Sequence, residues 1–192
     1  MEFSSVRAVV AGGVVSLGAG MMACAAHNPV SPTSIEIPDG DYHSLMTASI
    51  GAGVGSIAIT PVHNAVTGTL DMIIKVRVQG VKANTSYLVQ RAGESGRANS
   101  ADGVCQRAVG APPWSPSDPP VNFLFPSFRV PDPGGPEVSF VTRANGNGSL
   151  DFEYVHPTFA AGAVFDLMVR LVDDGSAPTS ELRSACFTVT SK

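Results

Sequence analysis

The sequence predicts an all-β fold, an antiparallel β-sandwich of about seven to nine strands with a long proline-rich loop insertion. Three observations point there. The 192 residues are 44% hydrophobic but only 15% charged, with 20 glycines and 15 prolines; such a chain is poor in surface-helix formers and rich in turn formers. Apolar residues recur at period two, and no 3.6-residue stripe interrupts them. Clusters of turn residues separate the alternating runs.

Residues 1–34 lie outside this pattern. Residues 1–23 read as a signal peptide: Arg7 precedes an uncharged, Gly- and Ala-rich run from Ala8 to Ala23, short and weakly hydrophobic for a lasting span. An amino-terminal membrane helix that stays attached is the competing reading. Met21-Met22-Ala23-Cys24 resembles a bacterial lipobox, whose cysteine is lipidated and becomes the new first residue. Ala23 matches that pattern, and Met21 stands where Leu is usual. The resemblance implies a bacterial lipoprotein held in the envelope membrane through Cys24. Ordinary cleavage after Ala23, Ala25 or Ala26 implies a soluble secreted protein instead. Residues 24–34 are polar and broken by Pro29 and Pro32, and read as a flexible tether with His27 as a solvated linker residue.

Cysteine arithmetic bears on the same choice. Three cysteines are awkward for an exported protein unless Cys24 carries lipid, which leaves Cys105 and Cys186 to form a disulfide. Closing a loop of about 80 residues stabilises the fold by roughly 4–5 kcal/mol in the chain-entropy model.

The sandwich domain is placed at 35–192. Ser56 to Thr60 is a short strand candidate. The firmest element follows, with Leu70, Met72, Ile74, Val76 and Val78 on a core face and Thr69, Asp71, Lys75, Arg77 and Gln79 on a wet one, Ile73 being the exception. Val138 and Phe140, then Leu150, Phe152 and Tyr154, flank Asn145-Gly146-Asn147-Gly148, a double Asn-Gly signal for a hairpin. Phe165, Leu167, Val169 and Leu171 alternate next, and a last strand lies around Leu182 to Thr190. Between Gly93 and Pro136 the texture changes to small polar residues and the proline-rich run Pro112 to Pro120, with Val121 to Phe125 the one strand candidate. Long loops of this kind often carry binding. Trp114, the lone tryptophan, sits there, either anchoring a partner or folding back as a cap on the sandwich end.

Val78-Gln79-Gly80-Val81-Lys82-Ala83-Asn84-Thr85-Ser86-Tyr87-Leu88-Val89 resembles the tyrosine corner of fibronectin type III and related immunoglobulin-like domains. The resemblance covers a dozen residues and lacks the usual Pro, where Ala83 or Asn84 stands. It implies an immunoglobulin-like sandwich in which the Tyr87 hydroxyl bonds back to nearby backbone. It implies no activity.

Chemical motifs are scarce. His27, His43, His63 and His156 are scattered singly, without metal-ligand spacing, so no cofactor or metal is called. The metal site of copper-zinc superoxide dismutase, another exported sandwich with a disulfide, needs closely spaced histidines that this chain lacks. There is no Gly-x-Ser-x-Gly elbow. Asp71, Asp151, Glu153 and Asp166 could pair as glycosidase carboxylates, but on alternating strands they are more simply a polar sheet face. Asp173-Asp174-Gly175 reads as a turn ahead of a calcium ligand set. A formal charge of −4 and a pI near 5.5 offer no positive field for nucleic acid. The sequence thus points to a non-enzymatic cell-envelope lipoprotein making protein or glycan contact. The rival is a metal-binding or enzymatic sandwich whose site assembles from distant residues such as His43, His63 and His156. A third class, a small-molecule carrier with a cavity between sheets, has no residue speaking for it.

Overall fold

The computed structural model describes residues 35–94, 101–105, 125–157, 159–175 and 177–192. Cys24, His27 and Trp114, together with the rest of residues 1–34, the whole proline-rich run Pro112 to Pro120 and all but Phe125 of the strand candidate Val121 to Phe125, lie outside the described residues. Among those described there is no helix, and nine strands follow in order: β1 (Tyr42–Ile50), β2 (Val54–Asn64), β3 (Thr69–Gln79), β4 (Ser86–Glu94), β5 (Ser139–Val141), β6 (Gly148–His156), β7 (Val164–Asp173), β8 (Glu181–Ser184) and β9 (Phe187–Thr190).

All pairings are antiparallel, and the strands form one continuous path, β5-β4-β7-β8-β1-β2-β3-β6, with β9 also on β7. β8 bonds to both β7 and β1 and so joins what would otherwise be two sheets. The path curls until β5 and β6 approach each other, giving a near-barrel.

Alternation decides which residues fill it. On β3 the buried residues are Leu70, Met72, Ile74, Val76 and Val78, while Ile73 faces out. Ile57 and Ile59 from β2, Tyr87 and Val89 from β4, Phe165, Leu167, Val169 and Leu171 from β7, and Leu182 from β8 meet them in one core. β2 is buried on both faces at its centre, because the chain entering the domain crosses its outer side. The Ser56 hydroxyl donates to the Glu36 carbonyl at 2.6 Å and the Asp41 N–H to Ile59 O at 3.1 Å. Pro61 is tolerated in β2 because β1 pairs no further than Ile59, so a ladder N–H at position 61 would have had no β1 partner.

The double Asn-Gly segment departs from the expected hairpin. A tight turn does form, with the Gly146 N–H on Arg143 O at 2.9 Å and the Arg143 N–H on Asn147 O at 2.8 Å. The strands on either side part company: β5 pairs with β4, and β6 with β3. The turn is instead docked on the β3–β4 connection. The Val81 N–H donates to Gly146 O at 3.1 Å, and a Cβ at Gly146 would lie 2.2 Å from Val81 O. Turn chemistry fixed the reversal; partner choice was fixed by the core.

Candidate functional site

The outer side of β4, β7 and β8 concentrates the ionic groups. Alternation puts Gln90, Arg170 and Arg183 in one row across these three strands, next to Glu181. The Glu181 side chain is 2% exposed and accepts from the guanidinium groups of both Arg170 and Arg183 and from the Ser49 hydroxyl at 2.6 Å. Burial pushes its carboxyl up, but these donors outweigh burial and hold it below its ordinary value. The two guanidinium groups also lie over the Phe125 ring, 5.0 and 4.9 Å from its centre. Phe125 is buried and packs with Ala92 and Met168 in a small second core.

Residues 101–105, which precede the proline-rich run, are fixed on the same face. The buried Asp166 carboxylate accepts from the backbone N–H groups of Asp102 and Gly103 at 2.8 and 2.9 Å and from Thr188 at 2.6 Å. Cys105 is joined to Cys186, with Cα atoms 5.5 Å apart, in the break between β8 and β9. Both flanks of residues 106–124 are therefore held on one sheet face, by a disulfide and backbone caps before it and by a cation-capped aromatic after it.

A groove of about 430 Å³ opens beside Phe125, lined by Gln90, Arg91, Ser127, Arg129, Asp132 and Glu137. Arg91 lies over the rings of Phe128 and Tyr154 at 5.1 and 4.8 Å and pairs with Asp132 at 3.3 Å. Tyr154 donates to the same carboxylate. Burial, then this hydrogen bond, push the Tyr154 hydroxyl well above its ordinary value, so it stays protonated and serves as a donor. The ionisable groups here are arginine–carboxylate pairs and a protonated phenol, an arrangement suited to holding chain segments and offering hydrogen bonds at a rim.

At the opposite end of β4, Tyr87 is 1% exposed. Its hydroxyl accepts from the Lys82 N–H at 3.2 Å and donates to Ser180 Oγ at 2.6 Å, and its ring stacks on Phe140 at 5.9 Å. Asn84 has φ 49°, a left-handed conformation that asparagine tolerates and proline cannot adopt, which accounts for the missing Pro. Asp173 accepts from the Thr179 and Ser180 N–H groups, the Thr179 hydroxyl and Lys82. Burial raises its carboxyl, these donors outweigh it, and its pKa falls below the ordinary range. Asp173 thus closes the turn before β8.

The remaining candidates stay apart. His43 on β1 stands opposite Ala58, while His63 and His156 flank Leu70 from β2 and β6 with the width of β3 between them. Among the described residues no group of three or more His, Cys, Asp or Glu could hold a metal ion. Asp151 pairs with Arg77, Asp71 accepts from Asn64 and Thr69, and Glu153 stands opposite Ile73. Arg91, Asp132, Arg170, Glu181 and Arg183 belong to no motif in the sequence. The alternating Glu181-Leu182-Arg183 offered a signal, since two charges on one strand face call for partners there.

No family model matches the chain, and no curated protein or solved structure matches it either.

Proposed function

We propose that this chain is a non-enzymatic bacterial cell-envelope lipoprotein, anchored through lipid on Cys24, whose immunoglobulin-like domain makes protein or glycan contact through the proline-rich insertion that carries Trp114. The observation that carries the reading is the joining of Cys105 to Cys186, which leaves Cys24, at the end of the apolar leader, as the third cysteine of the sequence. Further support comes from the insertion's flanks. A disulfide, the Asp166 cap and the clamp on Phe125 hold them, and a contact loop gains affinity when its ends are fixed in advance. The immunoglobulin-like assignment draws on the Tyr87 corner geometry, with β8 bridging the two half-sheets. The carboxylates engaged as caps and ion pairs favour a structural role over acid–base chemistry.

The test is expression of the full chain in a bacterial host fed labelled palmitate. The wild-type chain should carry label and sediment with membranes, and Cys24→Ser should lose both properties. An unlabelled wild-type chain with the same distribution as Cys24→Ser would overturn the anchor.

A further inference from the structure

We propose that the outer face of the β1–β2 hairpin, carrying Ile37, Leu45 and Val54, lies against the surface of the bilayer in which the chain is anchored; this rests on the lipid-anchor reading above. These three side chains are 55%, 56% and 45% exposed. They share one patch. Leu45 stands opposite Ser56 and Val54 opposite Thr47, so Leu45 and Val54 are diagonal neighbours on one face. The same Ser56 holds the Glu36 carbonyl at 2.6 Å, which lays Ile37 beside them.

The patch adjoins the place where the tether enters the domain. Residues 24–34 reach under about 40 Å even when fully extended. A domain of this size has a radius of gyration of about 15 Å, hence a diameter near 40 Å. A connection whose greatest reach only matches the domain's width favours having the entry face, and not its opposite, toward the membrane. Three exposed aliphatic side chains then gain burial in the headgroup layer at little extra entropic cost, because the lipid has already localised the chain. Glu36 and Asp39 border the patch and both are exposed, so the attraction is apolar and calls for no anionic lipid.

The experiment uses the full lipidated chain in phosphatidylcholine vesicles containing lipid with a shallow nitroxide. With Cys24 acylated and Cys105 and Cys186 joined, Leu45→Cys supplies the free thiol for an NBD fluorophore. Val141→Cys, on the exposed outer side of β5 and four strands away along the sheet path, is the reference. Docking predicts that the probe at 45 loses most of its fluorescence while the probe at 141 keeps most of its own. Ile37→Ser with Val54→Ser should restore the signal at 45. Equal quenching at both positions, or none at 45, in a chain that carries lipid and floats with vesicles overturns docking and leaves the anchor standing. A chain that acquires no lipid overturns both. A blue-shifted probe at 45 before vesicles are added would place a second copy on this face, and overturns docking as well.

Discussion

On the β4–β7–β8 side, Asp166 and Glu181 are buried and each accepts from several donors, whereas on the β1–β2–β3 side Leu45, Val54 and Ile73 stand open to solvent. The charges of the second face behave differently too: Asp151 is half exposed in its pair with Arg77, where Glu181 is shut in with Arg170 and Arg183. Buried carboxylates must be paired or become costly, so they mark where chain segments are fastened. Exposed aliphatics beside the first described residues leave room for something outside the domain to sit. One face holds part of its own chain; the other is the face proposed to meet the bilayer.

The contrast can be broken in steps of decreasing size. Cys186→Ser removes the covalent hold on the β4–β7–β8 side and should lower stability by about 4 kcal/mol, read as a urea midpoint shift at constant slope. Glu181→Ala should cost about 3 kcal/mol, because it leaves two arginines over Phe125 without their buried carboxylate. Glu181 and Asp173 are held below their ordinary values when folded, so their contribution is full above the unfolded carboxylate range near about pH 4 and is lost as pH falls through the lower folded values. Acid titration should find wild type losing stability below about pH 4 and Glu181→Gln losing less over that interval. Tyr87→Phe, which removes the hydroxyl between Lys82 and Ser180, should cost roughly 1 kcal/mol or somewhat more. Asp151→Ala, on the open face, should cost under about 1 kcal/mol. Equal losses for Asp151→Ala and Glu181→Ala would erase the distinction between the faces.

Legibility followed the same division. The core row of β3 and that of β7 could be read because alternation is a local property, and the segment around Tyr87 because turn, Thr and Tyr lie within a dozen residues. The Asn-Gly turn was legible and its flanking strands were not. Whether β5 and β6 pair with each other or with β4 and β3 depends on side chains from four strands packing together, which no local pattern encodes. The Glu181 cluster was hidden for a similar reason: Gln90, Arg170 and Arg183 are distant in sequence and become a row once β4, β7 and β8 are in register. The clamp on Phe125 requires, in addition, that the returning chain cross that row.

Non-reducing mass spectrometry of the intact protein and its peptides from bacterial membranes addresses the proposed anchor at Cys24 and the Cys105–Cys186 disulfide together. The expected result is a mature chain that begins at an acylated Cys24 and a single cross-linked peptide pair containing Cys105 and Cys186. A chain that begins elsewhere with Cys24 unmodified, or one with Cys105 and Cys186 as free thiols, would contradict it.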